Sequence, residues 1–273
     1  MIKDVAFGQY YPVASFVHKM DPRAKILYLT AYIVLIFIVK NFYGFAVCAA
    51  FLALAVIFSR VPILKVLRSV RAIIFIIIVT FLINLFLHRE DQDVVIFNWW
   101  IFTITYGSLR FALFMALRLV MLILGSSILT LTTTPVSLTD GIESLMSPLK
   151  IVRFPVHELA LVMSIALRFI PTLMEETERI ISAQKARGAD FESGNLVSRV
   201  KALIPILIPL IISAFRRADE LGDAMEARCY TGSKVRTKYK KLKLGVNDVI
   251  ALFFVLAAFA GVIVLNVYTT AII

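Results

Sequence analysis

Cysteine is almost missing from this 273-residue chain: Cys48 lies inside an apolar run and Cys229 in a basic segment. Two isolated thiols build neither a disulfide framework nor a thiolate metal cluster, and no metal or cofactor is expected. Histidine is as scarce. His18, His88 and His157 fall in three different regions of the topology derived below, so they cannot gather into one inner-face site. The sequence lacks a G-x-x-x-x-G-K-[ST] loop, which leaves any nucleotide hydrolysis to another chain. The segment Met1 to Phe16 has Lys3 beside Asp4 and no apolar stretch of signal-peptide type, so the chain is read as mature. Acid is the minority charge, with 18 Asp and Glu against 29 Lys and Arg.

What the chain has in excess is apolar surface. Its 60% hydrophobic content and mean hydropathy of +0.88 exceed what a soluble domain can bury. Five segments are long enough to cross a bilayer: Ala24 to Val39, Phe42 to Phe58, Ala72 to His88, Ser108 to Thr132 and Val249 to Val267. The first two are joined by a turn at Lys40 and Asn41 and form an antiparallel hairpin. With the N-terminus inside, every Lys and Arg except Lys40, Arg89, Arg110 and Arg118 lies on the cytoplasmic side. That asymmetry orients the chain. The outer loop from His88 to Gly107 carries Glu90, Asp91 and Asp93, then Trp99, Trp100 and Tyr106, residues suited to a headgroup interface.

The fold expected is therefore an all-α integral membrane protein of about five transmembrane helices with a large cytoplasmic segment. Residues 1–132 hold four spans, 133–245 form the inner segment and 246–273 the last span. Leu159 to Met174 and Ala202 to Phe215 are apolar too, but the first carries Arg168 and Pro171, and the second is short and broken by Pro205 and Pro209. Crossing by both, the seven-span alternative, would export Arg179, Lys185, Arg187, Arg199 and Lys201. They are read as helices lying along the inner face, against membrane or partner helices. Lys234 to Lys243, six basic residues in ten, fits anionic-lipid anchoring before the last span better than a nucleic-acid patch.

Two helical stretches of the inner segment finish alike, at Ala183-Gln-Lys-Ala186-Arg187-Gly188 and Ala224-Met-Glu-Ala227-Arg228-Cys229, 41 residues apart. Each has an acid nine positions before its arginine, Glu178 and Asp219. Alanines one turn apart admit a close backbone, and an arginine in the last turn suits the helix dipole while offering five donors to a partner. Gly188 also reads as an ordinary helix C-cap, which alone would account for one copy.

These residues resemble the T component, the transmembrane coupling subunit, of energy-coupling factor transporters, whose members carry two X-Arg-X motifs on cytoplasmic coupling helices. Ala186-Arg187-Gly188 and Ala227-Arg228-Cys229 match them, Cys229 departing from the usual glycine. His18-Lys19-Met20-Asp21-Pro22-Arg23-Ala24-Lys25, Phe154-Pro155-Val156-His157-Glu158 and Ala166-Leu167-Arg168-Phe169-Ile170-Pro171-Thr172 also resemble the family. The resemblance implies a non-catalytic scaffold in a prokaryotic plasma membrane. It would bind two ATP-hydrolysing subunits below and a membrane-embedded substrate-capture S component beside it. ATP-driven motion would pass through the arginine-tipped helices and release a vitamin or metal ion inside.

Arg118 lies ten residues into the fourth span, near mid-bilayer, and is read as structural, by pairing with a carbonyl between helices or snorkelling, or else as a contact made or broken as the capture subunit moves. Asp219, Glu220, Asp223 and Glu226 are expected to pair along their own helix with Arg216, Arg217 and Arg228. Asp140, Gly141 and Glu143 resemble a helix start. Two other classes compete with a coupling scaffold. A membrane enzyme on lipid intermediates would need converging acids or a nucleophile, and a self-sufficient carrier would need repeated spans; neither pattern is visible.

Overall fold

The computed structural model describes residues 10–87, 95–99, 102–152, 154–189, 191, 196–230, 232 and 242–270. Lys3, the acidic stretch 88–94, Trp100 and nearly all of the basic run 234–243 lie outside them. The chain divides into two compact units, Gln9–Pro148 with Lys243–Ile273, and Leu149–Leu242.

The first unit holds α1 (Pro22–Ile38), α2 (Phe42–Ser59), α3 (Ile63–Leu87), α4 (Tyr106–Thr132), α5 (Pro135–Leu145) and α8 (Val246–Thr270). Its starts are written in local chemistry. Asp21 caps α1, its carboxylate accepting the Arg23 amide, with Pro22 at the first helical position. Thr105 and Ser108 form a reciprocal capping box on α4. Thr134 caps α5 ahead of Pro135, so Asp140, Gly141 and Glu143 lie inside that helix and not at its start: the hydroxyl cap with proline behind it outranks acids one turn later. Between α3 and α4 the β-branched and aromatic residues of Val95–Trp99 (β1) and Phe102–Thr105 (β2) pair as a short antiparallel hairpin within the expected outer loop.

Among the described residues five helices are long and apolar enough to cross a membrane: α2, α3, α4, α8 and, in the second unit, α6 (Val156–Ala186). The expected set had Ala24 to Val39 in place of α6. At 17 residues α1 is about 26 Å long and just short of that class, yet it is the most enclosed helix of its unit. Leu35, Ile36 and Val39 are buried with Phe45, Cys48 and Leu52 of α2 and Ala258 and Val262 of α8. Tyr32 lies against α4 at Gly125, where an added Cβ would come within 2.5 Å of the ring. Lys65, Arg68 and Arg71, which precede the expected span Ala72 to His88, sit on the first turns of α3, because no breaker separates them from the apolar run.

Charge and amide groups inside this unit serve the end of α1. The Arg118 guanidinium of α4 donates to the Val39 carbonyl (3.3 Å), and Asn266 of α8 donates to the Ile38 carbonyl (2.9 Å). A helix end leaves its last carbonyls without intrahelical partners, and these two side chains take two of them. Arg118 thus pairs with a carbonyl between helices, the first of its two expected roles.

The second unit contains α6 and α7 (Leu196–Ala227), after a 3₁₀ turn (Ser147–Val152) that begins at the end of the first unit. Pro205 and Pro209 do not break α7, which runs through both for 32 residues, and Pro171 lies inside α6. The two prolines of α7 are four apart, so the carbonyls of Lys201 and Pro205 lose their amide partners on one side of the helix. The cost falls on a single stripe, and the helix continues.

Candidate functional site: two arginine-capped helix ends

The six residues singled out by the motif occupy corresponding places. Ala186 ends α6 and Ala227 ends α7, with Arg187 and Arg228 as the capping residues. Beyond them Gly188 has φ +86° and Cys229 φ +57°, both left-handed. The hydrogen bonds repeat as well. The Gly188 amide donates to Lys185 O (3.0 Å) and the Ala189 amide to Gln184 O (3.0 Å); the Cys229 amide donates to Glu226 O (2.8 Å) and the Tyr230 amide to Met225 O (3.0 Å). Each is a Schellman cap, in which a left-handed residue turns the chain back over the last carbonyls. The motif's third position is therefore a backbone requirement, met freely by glycine and at a cost by Cys229. An added Cβ at Gly188 meets nothing within 4 Å, so conformation and not space selects glycine there.

All six residues are exposed. Neither the Arg187 nor the Arg228 side chain has a hydrogen-bond or ion-pair partner among the described residues. Two exposed guanidinium groups thus stand at the ends of long helices behind matching caps.

The helices meet further back. Arg217 of α7 donates to Glu176 of α6 at 2.6 Å, each side chain partly buried, and approaches Ser213 at 3.5 Å. Glu176 and Arg217 are themselves 41 residues apart and each stands eleven before its motif arginine, so the ion pair joins equivalent positions of the two copies. From it each arm continues about 16 Å to its arginine. This pair corrects the expectation that the acids of α7 pair with arginines of the same helix: among the described residues Asp219, Glu220, Asp223 and Glu226 make no such bridge. Exposed pairs along one helix gain a few tenths of a kcal/mol, whereas Glu176 offers Arg217 a carboxylate in a partly closed crossing. The shared offset from the motif was the available signal, and it was missed. Toward its N-terminal half α7 presents an exposed apolar stripe that includes Leu203, Ile204, Leu207, Ile208, Ile211 and Phe215.

In the first unit a buried polar hub holds the segment before α1, the second feature missed. Asp248, 3% exposed, accepts the Asp21 amide at 2.9 Å and the Gly245 amide at 2.7 Å. Lys25 donates to Thr132 O (3.0 Å) and Thr133 Oγ1 (3.2 Å), and Arg23 joins Asp21 to Ser144 of α5 (3.1 Å). His18 contacts Tyr11 O and Ser15 Oγ, and burial pulls its imidazole below the ordinary 6.5. The passage His18 to Lys25 is therefore a clasp joining α1 to α4, α5 and α8. Among the described residues no His, Cys, Asp and Glu group is arranged to hold a metal.

Comparison with known proteins agrees with this architecture. The family model described as cobalt transport protein, CbiQ, matches residues 14–239. The energy-coupling factor transporter transmembrane protein EcfT of Ruminiclostridium cellulolyticum is 49% identical over 250 residues, covering 92% of each chain. The chain belongs to this family. The energy-coupling factor transporter transmembrane proteins EcfT of Clostridium kluyveri and Bacillus subtilis are 50% and 46% identical, over 92% and 94% of this chain and 93% and 97% of their own. As an EcfT-type member it is the transmembrane component of an energy-coupling factor transporter, a bacterial-type membrane protein, and its helical fold is the one expected from hydropathy.

Proposed function

We propose that the arginine-capped ends of α6 and α7 couple two ATP-hydrolysing subunits to this membrane component, which transmits their motion to an S component that captures a vitamin or other micronutrient. The observation that carries this reading is the duplication of one device: the same Schellman cap, the same free arginine and the same distance back to the Glu176–Arg217 pair. Two equivalent tips suit two similar partners. The charge asymmetry supports a cytoplasmic N-terminus and a cytoplasmic region over 133–245, with α6 and α7 below the bilayer despite the apolar start of α6, since Arg168, Arg179 and Lys185 lie along it. The enclosed α1 then takes its place among the spans. The exposed stripe of α7 is a surface for the capture subunit or the membrane.

Each charge-assisted hydrogen bond at such a tip contributes roughly 1.5 to 3 kcal/mol. Changing Arg187 or Arg228 to alanine should weaken ATPase recovery, and changing both to glutamate should abolish vitamin uptake at matched membrane levels. The single effects on assembly should be nearly additive, because the tips engage separate partners. Normal uptake by the double glutamate variant would sink this reading.

A further inference from the structure

Two adjoining hollows in the membrane unit share Phe16 and Phe58 in their walls. One is an apolar groove of about 130 Å³ between α1, α2, α4 and α8, lined by residues that include Tyr32, Phe51, Gly125, Ile128 and Phe254. It follows α2 from Phe51 to Phe58, about 10 Å by helical rise. The other, about 540 Å³, lies at the end of that groove and is lined by Ser15, Lys19, Arg60 and Asn247 beside the shared phenylalanines. The rings of Phe16, Phe58 and Phe254, with centroids 5.8 and 6.3 Å apart in successive pairs, lie where the two hollows meet. The apolar part thus adjoins a basic mouth.

Lys19 and Arg60 are exposed and have no ion-pair partner among the described residues. Arg60 is also held at φ +54°, at the end of α2, where glycine would sit without strain. A cation placed at a position that favours glycine points to work done by its side chain. In a protein read as membrane-spanning, the molecule with an anionic end and an apolar tail at that depth is a lipid.

We propose that this composite hollow is a binding site for an anionic phospholipid, its phosphate between Lys19 and Arg60 with Ser15 and Asn247 as further polar contacts, and one acyl chain in the groove past Phe58. The apolar groove without the basic mouth would take any lipid; the two cations select charge.

Native mass spectrometry of the full chain in detergent, titrated with phosphatidylglycerol or phosphatidylcholine, tests it. A cation at an anionic lipid surface contributes about fivefold in affinity, so Arg60→Gly should lose about fivefold of the phosphatidylglycerol preference and Lys19→Gln with Arg60→Gly roughly thirtyfold. Because Arg60→Gly relieves the backbone, a purely structural arginine would instead leave lipid retention unchanged and the protein no less stable. Arg68→Gln with Arg71→Gln removes equal charge from α3 and should keep the preference. Ala55→Trp, filling the groove, should weaken both lipids. A photoreactive phenylalanine at Phe58 in native membranes should yield lipid adducts. Capture of another protein chain there, or an equal loss of preference in the α3 control, would overturn the proposal.

Discussion

At the residue scale the motif's third position is decided by one dihedral angle. Left-handed φ costs a side chain about 1 kcal/mol, part of which glycine returns through its freer unfolded state. Cys229→Gly should therefore firm the α7 cap by about 0.5 kcal/mol, and Gly188→Ala should loosen the α6 cap by about 1 kcal/mol. Hydrogen exchange reads both directly: the Tyr230 amide should slow about twofold and the Ala189 amide quicken about fivefold. Unchanged exchange in both would mean that the turn does not depend on these residues. His18 makes a second residue-scale prediction. Its folded pKa is depressed, chiefly by burial, so the unfolded chain binds the proton more readily. The stability this neutral imidazole contributes is complete above about 6.5 and is lost as pH falls through the lower folded value. Melting temperature in detergent should fall from pH 7.5 to 5 in the native protein and less steeply in His18→Gln. Parallel curves would remove His18 as the cause.

At the element scale the short α1 survives because two other helices cap it. Arg118→Leu removes the donor to Val39 O and Asn266→Leu the donor to Ile38 O, and each should cost about 1 to 2 kcal/mol. Thermal unfolding of the purified chain should show both losses; an Arg118→Leu protein as stable as native would show that Val39 O needs no partner. The crossing of α6 and α7 makes a different test. Arg217→Glu places two acids together, and adding Glu176→Arg restores opposite charge. For a pair this exposed the coupling energy should be about 1 kcal/mol. Recovery of uptake by the charge-swapped double variant, where each single variant loses it, marks the crossing as a shared pivot of the two arms. Failure to recover assigns the losses to something other than the pair.

At the scale of the whole molecule the distribution of basic residues predicts which ends face the cytoplasm. Cys48 is buried and Cys229 exposed, so a Cys229→Ser background is needed for thiol labelling. In intact cells a cysteine at Thr270 should react with an impermeant reagent and one at Ser193 should not. The reverse pattern would invert the topology and place the arginine tips on the wrong side for ATP-driven partners. The purified chain should also hydrolyse no ATP by itself. Robust hydrolysis that survives removal of contaminants would contradict a scaffold that depends on other subunits for energy.

Hydropathy, charge asymmetry and a duplicated Ala-Arg ending are one-dimensional signals, and from them the membrane class, the helical content and the two alike helix ends could be read in advance. Span length and helix caps depend on near neighbours in the chain, so most starts and stops lay within a few residues of their expected places. What folding alone decided is who meets whom across large separations. Arg217 chose Glu176 over the acids of its own helix, since a crossing partner in a partly closed site outweighs an exposed neighbour one turn away. Asp248 reached Asp21 over 227 positions because α8 returns beside α1. Pro205 and Pro209 were absorbed into one helix because their lost hydrogen bonds share a side. Local pattern sets what each segment can form; only the packed chain sets which buried charge finds which acceptor, because that choice is made by desolvation and distance in three dimensions.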